Sequence, residues 1–329
     1  MNQLNESLVE TQIDLQNAQE IKNGLSEIPK HISSKFFYDE VGDEIFKEIM
    51  RCEHYYPTKA EEEILILYSQ QLAKQIDKTK KLQIIELGAG DGSKIIHLLK
   101  AFKEANIDFI YQPIDISQNI LDELEKNVSS EIKDIEIKAI CSDYFDYLAQ
   151  EQGSDEQKLL LFLGGNIGNM FPIEAAEFLE KINSLLSPKD LFLVGLDLKK
   201  NPRIIQNAYN DPDGITKRFN LNLLERMNRE FGADFNIQSF SHYPFYDPIS
   251  GSMKSYLISE EKQIVTFKHL NWQFALEKDE CIFTEVSQKY SFDDIEELAS
   301  KSGFKIINNF IDSEGYFTDS LWQKNSSKQ

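Results

Sequence analysis

Leu82-Gln83-Ile84-Ile85-Glu86-Leu87-Gly88-Ala89-Gly90-Asp91-Gly92-Ser93-Lys94 is an apolar run that breaks into alternating glycines. It predicts a strand, a tight turn and a helix. Gly88, Gly90 and Gly92 lack a Cβ, so the turn can take positive φ and let a ligand come close to the backbone. The following helix then aims its free N–H groups at that ligand. The same spacing occurs in dinucleotide sites and in glycine turns that hold nothing. Glu86, just ahead of the first glycine, favours a cationic ligand, because its carboxylate would repel a pyrophosphate.

Working outward, apolar runs alternate with helical patterns. Strands are predicted at 109–115, 135–140, 158–163 and 191–197, and helices at 93–102, 117–128 and 172–186. Repeated βα units with nearly continuous apolar strands imply a parallel sheet covered on both faces. Ligands of such sheets bind beyond the carboxyl ends of the strands. Glu86, Asp115, Asp143 and the run Gly164-Gly165-Asn166-Ile167-Gly168-Asn169 stand at those ends.

Ahead of the turn, polar helices are expected at 14–27 and 43–50, with the aromatic run Phe36-Phe37-Tyr38-Asp39 between them. Thr58-Lys59-Ala60-Glu61 reads as a capping box opening an amphipathic helix. From Lys199 to about Phe283 the rhythm changes to that of an inserted α+β domain, with a helix at 214–231 and strands at 252–258 and 263–269. A helix at 292–302 and a closing antiparallel pair, 303–307 with 316–322, complete the chain. The expected division is a substrate domain of 1–60 and 199–285 and a sheet domain of 61–198 and 286–329.

Composition limits the partners. The 329 residues carry 55 acidic against 35 basic side chains, a net charge of −20 that would repel a nucleic-acid backbone. With 41% apolar residues the chain can bury an ordinary core, yet no stretch reaches the ~18 apolar residues of a membrane span. Met1 to Gln19 has no signal-peptide core. A cytoplasmic monomer acting on a small molecule is expected, without nucleic acid or membrane. Cys52, Cys141 and Cys281 suit reduced thiols, and the histidines lack metal-ligand spacing, so no metal is expected.

Six pieces in order carry a resemblance over nearly the whole chain. They are Phe37-Tyr38-Asp39-Glu40-Val41-Gly42, Tyr55-Tyr56-Pro57-Thr58 with Glu61, Glu86-Leu87-Gly88-Ala89-Gly90, and Gly164-Gly165-Asn166-Ile167-Gly168-Asn169. Ala208-Tyr209-Asn210-Asp211 with Gly214-Ile215-Thr216, and Thr284-Glu285-Val286-Ser287, complete the set. The chain resembles the ergothioneine-pathway histidine N(alpha)-methyltransferases. That resemblance implies a Rossmann-like class I methyltransferase sheet with an antiparallel last strand, S-adenosylmethionine as cofactor, and trimethylation of the α-amine of free L-histidine.

Gly88, Gly90 and Lys94 are expected to hold the cofactor, with Asp115, at the end of the second strand, placed for the ribose hydroxyls and Asp143-Tyr144, after the third strand, for the adenine. Asp115 could equally cap the next helix, and Asp143 could be an ordinary loop residue. Tyr56, Asn169 and Tyr209 are implied to hold the amino acid, with Tyr38 near the amine as the candidate catalytic residue. Glu285 and Ser287 are implied to hold the imidazole, a ring with one donor and one acceptor. Judged alone, that pair is also what a solvent-facing strand would show. Ser255 stands where several family members have Met, so Phe219 or Met253 is left to wall the imidazole. A methyltransferase for another aromatic amino acid, such as a tryptophan derivative, is the alternative substrate reading, and a non-catalytic binding homologue is the alternative class.

Overall fold

The structure, a computed structural model, describes residues 15–150 and 156–325. In chain order the first elements are α1 (Leu15–Ser26), β1 (Lys30–His31), α2 (Glu40–Arg51), α3 (Tyr56–Ala73), β2 (Leu82–Leu87), α4 (Ile95–Glu104), β3 (Phe109–Asp115) and α5 (Gln118–Glu131). Then follow β4 (Ile140–Cys141), α6 (Tyr144–Gln150), β5 (Gln157–Phe162), α7 (Pro172–Leu185), β6 (Leu191–Asp197), α8 (Pro202–Tyr209) and α9 (Ile215–Phe231). The chain closes with β7 (Phe240–Asp247), β8 (Ser252–Ser259), β9 (Gln263–Phe267), β10 (Trp272–Leu276), β11 (Cys281–Gln288), α10 (Phe292–Lys301), β12 (Phe304–Ile311) and β13 (Phe317–Lys324). Asp14, where the first helix was expected to start, lies outside the described residues.

Two compact units are formed: Met1–Phe46, Pro212–Pro244 and Lys254–Glu285 make one, and Lys47–Asp211, Phe245–Met253 and Val286–Gln329 the other. The segments 47–60, 199–211 and 245–253 therefore group with the sheet unit, whereas the sequence suggested the substrate domain for all three. Tyr56 and Tyr209 explain this, since both bury their rings in the sheet unit.

The larger unit holds a seven-stranded sheet in the order β12-β13-β6-β5-β2-β3-β4. β2, β3, β4, β5 and β6 run parallel, and β13 is antiparallel to both β6 and β12. This is the class I methyltransferase sheet with its inverted last strand. β5 and β6 are buried along their whole length, as strands covered on both faces must be. Parallel running brings the carboxyl ends of β2, β3, β5 and β6 to one edge, where Glu86, Asp115, Gly164 and Asp197 sit in or just after the strands.

The strand expected at 135–140 shrinks to Ile140–Cys141, with one bridge between Tyr111 and Ile137. As the edge strand it pairs on one side alone, against β3. The capping box at Thr58 is also corrected. α3 opens earlier, at Tyr56, with Pro57 in its first turn, where the missing N–H costs nothing. Glu61 is fully buried and serves Lys94 and the Gly164 N–H instead of the helix start.

The smaller unit explains the aromatic run. Phe37 stacks on Phe219 of α9 at 4.6 Å, and Arg226, also on α9, donates to the carbonyls of Phe36 and Tyr38 at 2.9 and 3.1 Å. Asp39 accepts from the Gly42 N–H at 2.7 Å and from Asn222 at 3.0 Å, and pairs with Arg229. The segment is therefore tied to α9 by both stacking and charge. The four-stranded sheet has the order β1-β11-β8-β7, and β9 and β10 form a separate antiparallel ribbon.

Candidate active site

The glycine turn has the backbone its sequence requires. Gly88 takes φ +68° and Gly90 φ +59°; a Cβ on Gly88 would lie 2.9 Å from the Asn166 amide, whereas one on Gly90 would project into open space. Asp115, at the end of β3, accepts the Gly90 N–H at 3.1 Å through one oxygen and the Ser117 N–H at 3.0 Å through the other. It thus braces the turn and the entry to α5 together. Burial raises its carboxyl above the ordinary range, against the pull of those N–H groups.

Glu86 differs from the sequence expectation. Burial pushes its carboxyl up to about 8, although the hydrogen bond from the Tyr111 hydroxyl, at 2.5 Å, and the charge of Lys94 pull the other way. At neutral pH it is mostly protonated, so it does not repel an anion by charge as the sequence reading assumed. A cation brought close would instead draw the proton off.

Lys94 pairs with Glu61, whose second oxygen accepts the Gly164 N–H at 2.6 Å. Burial opposes its charge, but Glu61 more than compensates and raises the lysine above its ordinary value. Asp143 caps α6, its carbonyl accepting the Tyr147 N–H at 2.9 Å and its side chain the Asp146 N–H at 3.4 Å. Tyr144 sets its ring edge-on to Phe162 and Phe178, at 5.6 and 5.8 Å.

A buried knot of polar side chains lies at the end of β6. The Tyr56 hydroxyl donates to Asp197, at 2.9 and 2.8 Å from its two oxygens. Lys200 donates to Asp197 at 2.5 Å and to the Tyr56 hydroxyl at 2.9 Å. Lys289, which is not solvent-exposed at all, donates to Asp197 at 2.7 Å, to Tyr209 at 2.9 Å and to Ser287 at 2.7 Å. Tyr209 in turn donates to Ser287 at 2.8 Å. Burial opposes ionisation of Asp197, yet the two lysines outweigh it and hold the carboxyl below its usual range. Burial lowers Lys200 to about 8, with Asp197 resisting. It also holds the Tyr56 phenol well above 10, with Asp197 adding to the effect. One carboxylate among two ammonium groups leaves net positive charge at neutral pH.

Three residues of the sequence reading, Tyr56, Tyr209 and Ser287, are thus joined in one network. Asn169 ends the 3-10 turn Asn166–Asn169 behind β5, half-buried. Tyr38 and Glu285 belong to the smaller unit. Tyr38 packs edge-on to Phe46 at 5.8 Å and Phe219 at 6.0 Å, and Glu285 is half-buried on β11. Ser255 is buried, and its carbonyl accepts from the Thr284 hydroxyl at 3.1 Å. Met253 belongs to the larger unit, in an apolar cluster with Tyr56, Ile205, Tyr209 and Tyr246, while Phe219 lies in the smaller.

Asp197, Lys200 and Lys289 escaped the sequence reading. Asp197 ends a correctly predicted parallel strand, so the rule that picked out Glu86 and Asp115 would have found it. Lys289 follows Ser287 by two residues, the strand period, but a lysine is ordinarily a surface residue and gives no signal of burial. Among the described residues no group of His, Cys, Asp and Glu has the arrangement of a metal site, and no helix is long and apolar enough to cross a membrane. The three cysteines are free thiols.

A family model described as histidine-specific, SAM-dependent methyltransferase matches residues 17–324. Histidine N-alpha-methyltransferase of Mycobacterium tuberculosis is 32% identical over 305 residues, covering 93% of this chain and 94% of that protein. Ergothioneine biosynthesis protein 1 of Schizosaccharomyces pombe is 28% identical over 291 residues, covering 85% of this chain and 37% of that protein. An L-tryptophan methyltransferase of Psilocybe serbica is 25% identical over 325 residues, covering 90% of each.

Proposed function

The chain belongs to the histidine-specific, S-adenosylmethionine-dependent methyltransferases, and we propose that it methylates the α-amine of free L-histidine three times, giving the betaine hercynine. The geometric observation that carries this reading is the network joining Tyr56, Tyr209 and Ser287. Residues far apart in sequence, all assigned to amino-acid binding by the resemblance, are linked through Asp197, Lys200 and Lys289. The excess positive charge of that network suits a substrate carboxylate.

The residues of the glycine turn fit the cofactor. Gly90 faces open space with positive φ, and Asp115 stands beside it as a half-buried acceptor able to meet ribose hydroxyls. Bound there, S-adenosylmethionine supplies an electrophilic methyl group on a sulfonium. The protein's own task is to hold an uncharged amine in line with that methyl and to exclude water, which together can supply several kcal/mol of the barrier. An ammonium has no lone pair, so a proton must leave first. We assign Tyr38 to orient or relay it, Asn169 and Tyr209 to the amino-acid backbone end, and Glu285 with Ser287 to the ring.

The tryptophan reading is disfavoured by Glu285, since a carboxylate buried against an indole carbon would lack a donor. The net charge of −20 and the free cysteines support a cytoplasmic monomer that does not bind nucleic acid. Calorimetric titration with L-histidine in the presence of S-adenosylhomocysteine tests the reading. Saturable binding of histidine, with none of tryptophan, is expected; the reverse preference would overturn it.

A further inference from the structure

The proton count of the buried knot has a consequence for the substrate. An ammonium has three donors and no acceptor. Lys289 spends all three, on Asp197, Tyr209 and Ser287. Tyr209 and Ser287 own one hydroxyl proton each, and one of the two lies in the bond between them. Neither can donate to Lys289, so the pair has a single proton left to offer elsewhere. Acidity decides which oxygen keeps it. A phenol, with pKa about 10, is a stronger acid than an alcohol, and an alcohol oxygen is the better acceptor. Tyr209 therefore donates to Ser287. Ser287 then accepts from Tyr209 at 2.8 Å and from Lys289 at 2.7 Å, which occupies both its lone pairs. Its own O–H is all that remains, and no acceptor for that proton is present among the described residues.

We propose that Lys289 is a specificity-determining positioning residue: it fixes Ser287 as a donor, so that the site takes the neutral imidazole of histidine, with its unprotonated nitrogen facing Ser287, and rejects imidazolium. This rests on the reading above that Ser287 meets the substrate ring. Glu285, which that reading gives the ring N–H, then completes recognition of a ring with one donor and one acceptor. Asp197 keeps the device in one state, since its carboxylate holds the third proton of Lys289. The other ionisable groups around the knot are Lys200 on Asp197, Asp312 whose charge acts on Lys200, Asp247 beside Tyr246, and the phenols of Tyr55, Tyr56, Tyr246 and Tyr316. None of them bonds to Ser287. The tyrosine and serine alone could exchange donor and acceptor roles and admit either form of the ring; a neutral side chain at position 289 would restore that freedom.

The test is nitrogen-15 NMR of ring-labelled L-histidine bound to the full-length protein with S-adenosylhomocysteine at pH 6, below the usual imidazole pKa of about 6.5. One protonated and one unprotonated ring nitrogen are expected in the bound state, while free histidine is mostly imidazolium. In Lys289→Met, Ser287 recovers a lone pair, and the bound ring should titrate at least one pH unit higher than in wild type. A lysine that served stability alone would leave that signature unmoved. Two protonated nitrogens in the wild-type complex would overturn the inference and leave the substrate reading intact; absence of histidine binding to wild type would overturn both. Should Lys289→Met fail to fold, the wild-type spectrum alone decides.

Discussion

The backbone N–H of Gly164 donates to Glu61 across 2.6 Å, tying the loop behind β5 to a fully buried carboxylate on α3. The other oxygen of Glu61 meets Lys94. Asp319 of β13 is also fully buried, and neither of its oxygens has a hydrogen-bond partner. Burial, reinforced by the charge of Glu61 and opposed by that of Lys94, raises its carboxyl well above 3.8. Removing one member of a buried pair leaves the other uncompensated, so Glu61→Ala is expected to cost about 3–5 kcal/mol of stability by urea denaturation.

Asp319→Asn should behave differently. A carboxyl whose native pKa lies above its unfolded value binds more protons when folded, so its contribution to stability falls as pH rises above the unfolded value of 3.8. The amide has no such slope. Urea midpoints of Asp319→Asn relative to wild type should therefore improve between pH 5 and pH 8. A constant difference across that interval would mean that Asp319 is ionised in the folded protein.

Glu86 gives the cofactor site a pH dependence. Its native carboxyl titrates at about 8, and a neighbouring sulfonium would favour the ionised form. Binding of S-adenosylmethionine should release a proton near pH 7 and tighten as pH rises from 6 to 8, by up to about tenfold per unit. Glu86→Gln should lose that slope, and S-adenosylhomocysteine, which lacks the sulfonium charge, should show less of it. Calorimetry in buffers of different ionisation enthalpy measures the proton directly, and an uptake instead of a release would refute the assignment.

Asp115→Ala is expected to weaken S-adenosylmethionine binding at least tenfold, about 1.4 kcal/mol, because two ribose hydroxyls lose a charged acceptor. The Gly90 turn loses its brace as well. Asp115→Asn separates the two effects, since the amide oxygen can still accept the Gly90 N–H. Unaltered cofactor affinity in folded Asp115→Ala would remove the ribose role.

The sheet was legible because its strands are long apolar runs closed by recognisable turns; β3 and β6 have the predicted bounds. The edge strand near Ile137 was not, because alternation alone cannot say whether a neighbour exists to pair with it. The glycine turn and Asp115 could be read from local geometry. Tyr56, Tyr209 and Ser287 could be named as site residues through the resemblance alone, and nothing local shows that Lys289 joins them. Burial of a lysine is a property of tertiary packing, invisible until β6 and the end of β11 are brought together. Glu61 misled for the same reason, since its spacing from Thr58 fits a cap while its carboxylate serves Gly164 and Lys94.

That free L-histidine is the methyl acceptor can be checked by a methyl-transfer assay of wild type and Glu285→Ala on histidine, tryptophan and tyrosine, with products identified by mass. Wild type should add three methyl groups to histidine and leave the other two unmodified. Glu285→Ala leaves an imidazole N–H unpaired and should lose about 1.5–3 kcal/mol, or roughly tenfold to more than a hundredfold in kcat/KM for histidine, without loss on tryptophan. A wild-type protein that ignores histidine, or a Glu285→Ala protein that methylates it as well as wild type does, would rule out histidine as the acceptor held by Glu285.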